Sequence, residues 1–93
     1  MKRLEKHCKI FLKWFKLGFE QNIYYLDHPN RWLDIRKSFE ITYKYHVTFN
    51  ELLPWNRKWL YKGYYNGYYN VDTFNFTIPN DNVIKSIYYM IVS

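Results

Sequence analysis

The side chains that could do chemistry in this sequence do not form a recognisable catalytic or metal-binding set. The three histidines, His7, His28 and His46, lie far apart, and none belongs to a HExxH, HxH or CxxC pattern. His7 and Cys8 are neighbours, but on a helix their side chains diverge by about 100° and cannot pair as base and nucleophile. We therefore predict a protein that is not an enzyme and that uses no cofactor and no metal.

The acidic residues and the glycines support the same expectation. The three glycines are spread along the chain and build no phosphate-binding loop. The acidic residues include no pair spaced to act as general acid and base. The acidic residues scattered along the chain in this way are Asp27, Asp34, Glu40, Glu51, Asp72 and Asp81.

Basic residues concentrate near the amino terminus. Residues 1–19 carry six basic side chains against Glu5, a net +5 of the chain's formal +6. The lysines recur every three or four residues opposite an apolar stripe, which predicts a basic amphipathic helix from about Arg3 to Gln21. Neighbouring lysines on one helix face repel each other by about 0.2 to 0.5 kcal/mol per pair. An acidic partner would reduce this repulsion. The alternative is an ordinary solvated helix face.

The stretch YKGYYNGYYN predicts a β-hairpin. Asn66 and Gly67 are the residues that a type I′ turn favours, and they lie between two strand-like runs spanning residues 58–78. In the register set by this turn, Lys62, Tyr64 and Tyr69 share the outer face of the sheet, as Lys58 does.

Residues 39–49, FEITYKYHVTF, alternate apolar and polar side chains and predict a half-buried strand with Lys44 on its outer face. Around Pro29 we expect a short helix with Trp32 and Ile35 facing inward. After Pro79, a polar cluster caps a terminal helix over residues 83–92, although a buried fourth strand is the alternative there. The prediction is a single α+β domain over residues 1–93, in which two helices cover a three-stranded antiparallel sheet.

The amino-acid composition indicates how the core is built, what kind of genome encodes the protein and in which compartment it lies. Twenty-two of 93 residues are aromatic, so the core must be built largely from rings, and Cys8 is expected there as a small apolar residue. Phe, Tyr, Ile, Asn and Lys have AT-rich codons, which points to an AT-rich genome, for example that of a phage or another mobile element. One cysteine and no evident targeting segment favour the cytoplasm, the host's if the protein is viral.

The favoured function is a protein-binding module, an inhibitor or adaptor that docks on an acidic protein or nucleoprotein of a host, for example against its defence systems. Direct binding of RNA or DNA is the alternative, with lysines on phosphates and tyrosines stacked on bases. Attachment of the first helix to a membrane ranks last, because its apolar face is needed for the core. The predicted partner-binding residues are Lys2, Lys6, Lys9, Lys13, Lys16, Lys44, Lys58, Lys62, Tyr64 and Tyr69.

Overall fold

The computed structural model describes the backbone of residues 2–93 and the side chains of residues 5–93. In chain order the elements are α1 (Lys2–Asp27), a 3₁₀ turn (Pro29–Arg31), α2 (Ile35–His46), α3 (Phe49–Leu52), α4 (Pro54–Tyr69) and α5 (Asp81–Val92). Helix accounts for 79% of the chain, and no described residue lies in a strand. The predicted α+β fold with a three-stranded sheet is therefore wrong.

Helices α1 and α4 pack against each other at the centre of the molecule, and glycines bring their backbones into contact. Gly63 and Gly67 lie one helical turn apart on α4, and a Cβ at Gly63 would be 2.5 Å from a carbonyl oxygen of α1. The three glycine contacts are Gly63 with Phe11, Gly67 with Phe15 and Gly18 with Tyr64. Small residues four apart let two helices approach more closely than larger side chains would allow.

Rings fill the core, as the composition predicted. The apolar stripe of α1 is buried, and α5 contributes Ile84 and Tyr88 with no exposed surface. The fully buried aromatic residues are Phe11, Trp14, Phe15, Phe19, Tyr64 and Tyr88. Cys8 is buried with them, which confirms its predicted place.

The predicted hairpin over residues 58–78 is replaced by α4 and a series of turns. Asn66 is inside α4, where its side-chain amide donates to the carbonyl of Lys62 at 2.8 Å, one turn earlier. Gly67 has no positive φ and instead gives room to the backbone of Phe15. What this position requires of Gly67 is therefore the absence of a Cβ, and not the positive φ of a turn.

The predicted strand over residues 39–49 is mostly the helix α2. Asp34 caps this helix by accepting a hydrogen bond from the Lys37 amide at 2.9 Å. The inward face of α2 repeats every three or four residues and consists of Ile35, Ser38, Phe39, Thr42 and Tyr43. The small polar residues Ser38 and Thr42 occupy part of the buried face of α2. Because buried positions are not all apolar, the apolar and polar residues of this helix alternate in the sequence as they would in a strand.

Two predicted helices are confirmed and a third is corrected. Helix α1 forms and extends beyond its predicted end, and α5 forms with the Asn80 side chain accepting from the Val83 amide at 3.0 Å. The predicted helix near Pro29 is a three-residue 3₁₀ turn, and Trp32 is 60% exposed rather than inward-facing.

Candidate binding surfaces

The lysine stripe of α1 faces away from the core, but two of its members bind acidic residues of this chain. Lys6 and Lys9 are exposed, and the Lys2 side chain lies outside the described residues. Lys13 pairs with Glu51, whereas Lys16 pairs with Asp81 at 2.7 Å. The stripe is therefore partly neutralised from within.

Glu51 forms the centre of a buried polar cluster. Its carboxylate accepts hydrogen bonds from Lys13 Nζ at 3.0 and 3.1 Å and from Trp14 Nε1 at 3.0 Å. The backbone amide of Thr48 also donates to it, at 2.9 Å, and the Thr48 side chain completes a capping box. Burial raises the pKa of Glu51, but the hydrogen bonds from Trp14, Thr48 and Lys13 outweigh it, so the pKa lies below the usual value.

The ion pair between Lys16 and Asp81 lies at the surface, unlike the buried carboxylate of Glu51. Both side chains are well exposed, so water and salt screen their attraction and the pair stabilises the fold little. It nevertheless places a carboxylate on the lysine stripe, where Glu5 and Glu20 are also exposed. The outward face of α1 is thus a mixed surface within the part of the chain that the structure describes.

A more uniform basic surface lies on α4. This helix carries Arg57, Lys58 and Lys62 and has no acidic residue. On the side away from α1 it presents a row of tyrosines spaced four residues apart beside two lysines. We call this set the α4 outer face, and its members are Lys58, Tyr61, Lys62, Tyr65 and Tyr69.

The tyrosines of the α4 outer face are in contact with one another. The rings of Tyr61 and Tyr65 stack with centroids 4.4 Å apart, and those of Tyr65 and Tyr69 lie 6.1 Å apart. Tyr61 and Tyr69 remain 48% and 67% exposed. Burial and the nearby Tyr61 hydroxyl raise the pKa of Tyr65 to about 12, so its hydroxyl stays protonated at neutral pH.

The two lysines of this face are held against a buried ring. Lys58 Nζ lies 5.1 Å and Lys62 Nζ 5.4 Å from the ring centroid of Trp59. The imidazole of His7 also stacks on Trp59, at 5.5 Å. Cation–π attraction of this kind holds both ammonium groups over the Trp59 ring.

Tyr64, which we predicted on the binding surface, is in the core. Its ring has no exposed surface, and its hydroxyl lies 2.5 Å from the Ser38 hydroxyl of α2. Lys58, Lys62 and Tyr69 lie on one face of the helix α4 rather than on a sheet, and Lys44 lies on α2. Sequence reasoning missed Tyr61 and Tyr65, which a helical period of 3.6 residues applied from Tyr69 would have found.

A groove of about 420 Å³ adjoins the α4 outer face, between α2 and α4. Its lining is mostly aromatic, and Tyr61 belongs to both surfaces. The lining residues are Phe39, Glu40, Tyr43, Arg57 and Tyr61. A partner on the tyrosine row would therefore find an apolar recess next to it.

A second recess, of about 280 Å³, lies between α1 and α5 and includes Cys8, Lys9 and Lys85. Burial raises the pKa of the Cys8 thiol, and the nearby Lys85 ammonium only partly opposes this. The thiol is therefore protonated at neutral pH, and a protonated thiol is a weak nucleophile.

Comparison of the chain with protein-family models, with curated proteins and with solved structures found no match. Among the described residues, no three His, Cys, Asp or Glu side chains cluster in a way that could hold a metal ion. Within the same part of the chain, no helix combines the length and the apolar character that crossing a bilayer requires.

Proposed function

We propose that this protein is a small non-enzymatic binding module that docks on an acidic protein surface through the α4 outer face. The observation that carries the proposal is the combination of Tyr61, Tyr65 and Tyr69 with ordered lysines on a helix that has no acidic residue. Tyrosine is enriched at protein interfaces because it offers a large contact area at a low cost in side-chain entropy.

The ring arrangement favours a protein over a nucleic acid. Tyr61 and Tyr65 stack on each other, so part of each ring face is already covered and less is free for a base. Tyr61 and Tyr69 nevertheless keep much of their surface exposed for contacts of the kind that protein interfaces make. Lys58 and Lys62 would then steer an acidic surface into place.

The binding surface is proposed on α4 rather than on α1 because of how their charges are arranged. Lys13 and Lys16 already bind Glu51 and Asp81, so an incoming acidic group would have to compete with acids of this chain. Lys58 and Lys62 instead lie over a ring that does not neutralise them. The exposed Lys6 and Lys9 provide a weaker, secondary attraction.

In a cell, such a module acts as an inhibitor or an adaptor, in the cytoplasm. The AT-rich codon composition supports an origin in a phage or another mobile element, whose small proteins bind host machinery. A docking surface with a bulky aromatic row would block the part of the partner that it covers.

The test is capture of partners by the immobilised protein from a lysate of the encoding organism or its host, with identification by mass spectrometry. Combining Tyr61→Ala with Tyr69→Ala should remove the captured partner, with a loss of at least tenfold in yield. Tyr89→Ala is the matched control, because Tyr89 is 49% exposed, close to the 48% of Tyr61, and lies on α5. Equal capture by the double variant and the wild type would contradict the proposed surface.

A second pair of variants compares the contributions of α4 and α1 to binding. Combining Lys58→Glu with Lys62→Glu should abolish capture, whereas Lys6→Glu with Lys9→Glu should weaken it only slightly. A gel shift with random DNA and RNA tests the other class of partner. Binding that falls with salt at a slope near 0.9 per duplex phosphate, and that is lost in the Lys58 and Lys62 variant, would make the protein a nucleic-acid binder instead.

A further inference from the structure

Residues 49–55 form a protruding apolar corner at the junction of α3 and α4. Phe49 is 91% exposed, Trp55 60% and Leu53 36%, while Leu52 is half-buried beside them. We call Phe49, Leu52, Leu53 and Trp55 the α3 corner. Isolated exposed apolar residues are ordinary, whereas these three lie within seven positions of one another.

The local fold turns the polar group of this segment inward and its apolar groups outward. The capping box between Thr48 and Glu51 begins α3, a helix of four residues. It directs the Glu51 carboxylate to Lys13 and Trp14 in the interior. Phe49 and Asn50 face solvent and Leu52 is half-buried, so the charged Glu51 is the buried side chain of this helix, the reverse of an amphipathic helix that packs on a core.

The charges around the α3 corner are basic. Within residues 49–55 the one charged side chain is Glu51, which is 4% exposed and neutralised by Lys13. Lys44 precedes the corner, and Arg57 and Lys58 follow it, all three exposed. Arg57 Nη2 donates to the Leu52 carbonyl at 2.9 Å, which holds its guanidinium at the edge of the corner.

We propose that the α3 corner inserts into the surface of an anionic lipid bilayer. Phe49 and Trp55 enter the interfacial region below the headgroups, where aromatic side chains are favoured. Lys44 and Arg57 lie against the lipid phosphates, which basic side chains near the surface attract. An apolar tip without exposed charge and a basic rim are the two features that surface attachment combines.

The α3 corner differs from the apolar face of α1 in its freedom to enter lipid. The apolar face of α1 is buried in the core and cannot enter lipid. Phe49 and Trp55 of the α3 corner lie outside the core. Their insertion into lipid therefore requires no unfolding. A fluid bilayer also accepts protruding rings without a complementary pocket, which a protein partner would have to supply.

Vesicle sedimentation with the whole protein tests the proposal. Wild-type protein should bind vesicles of phosphatidylcholine with phosphatidylglycerol at least tenfold more tightly than vesicles of phosphatidylcholine alone. Phe49→Ser and Trp55→Ser should each lower the partition coefficient about tenfold or more, since each removes a ring from the bilayer. Trp32→Ser is the matched control, because Trp32 is also 60% exposed but lies outside the corner.

Charge provides a second, independent readout. Lys44→Glu should weaken binding to the anionic vesicles at least fivefold, whereas Lys37→Glu, exposed near the other end of α2, should have a smaller effect. Circular dichroism checks that each variant remains helical. The proposal is overturned if wild-type protein ignores anionic vesicles, as a corner that docks only on protein would, or if Trp32→Ser reduces binding as much as Trp55→Ser.

Discussion

At the residue scale, Glu51 joins α1, the loop after α2 and the start of α3 through one carboxylate. Three donors converge on it, and Lys13 also donates to the His46 carbonyl at 2.9 Å. A carboxylate that is nearly removed from water is stable only while such donors remain in place. This cluster explains how the middle segment of the chain is fixed against α1.

Replacing Glu51 with Gln should lower the free energy of unfolding at neutral pH by about 1 to 2 kcal/mol, since Lys13 stays partly in water. The pKa of Glu51 is lowered in the folded state, so its ionised form stabilises the protein above the usual carboxyl pKa of 4.5. That stabilisation is lost as pH falls through the folded-state pKa. The difference between wild type and Glu51→Gln should therefore shrink toward acidic pH in urea unfolding experiments.

Asp81→Asn is the control for this prediction. It removes the exposed pair with Lys16, which should cost at most about 1 kcal/mol at neutral pH. If Asp81→Asn were the more damaging of the two substitutions, the importance given to the buried cluster would be wrong.

At the element scale, the contact between α1 and α4 organises the fold. Two glycines inside α4 each cost about 1 kcal/mol of helix propensity relative to alanine. The close approach of the two backbones offsets this cost, because it lets the rings on either side of the contact pack around it. The propensity of α4 alone would not predict a stable helix here.

Gly63→Ala should change the free energy of unfolding in opposite directions depending on whether helix propensity or the close backbone contact dominates at this position. If only propensity mattered, alanine would stabilise the helix by about 1 kcal/mol. Because a Cβ at Gly63 would lie 2.5 Å from the Phe11 carbonyl oxygen, we expect a net destabilisation of about 2 kcal/mol or more. Ser86→Ala on the exposed side of α5 should be neutral or slightly stabilising. Thermal or urea unfolding distinguishes the outcomes, and a more stable Gly63→Ala protein would refute the close contact.

At the scale of the whole molecule, one core shared by α1, α4 and α5 should make unfolding cooperative. Trp14 is fully buried and contacts α2 and α3, and Trp59 is nearly buried and contacts α1 and α5. We expect a far-ultraviolet circular dichroism spectrum typical of α-helix, and urea transitions that coincide when followed by circular dichroism and by tryptophan fluorescence. A spectrum dominated by strand, or two separate transitions, would contradict this architecture.

Some features of this protein were determined by the sequence alone. The apolar stripe of α1 repeats over many turns, and Asn80 provides a local cap for α5, so both helices could be predicted from neighbours in the chain. The aromatic composition likewise required a core built from rings. The sequence also predicts Lys58, Lys62 and Tyr69 on one surface, but it predicts a sheet where the structure has the helix α4.

Only the tertiary structure decided α2 and α4. The same alternating residues can follow a period of two or of 3.6, and the Ser38 hydroxyl becomes part of a buried face because Tyr64 meets it there. Asn66 and Gly67 fit a turn as well as a helix until the α1 backbone lies against Gly67. Contacts between residues distant in sequence therefore chose between two locally acceptable structures, and in doing so they buried Tyr64 and exposed Tyr61.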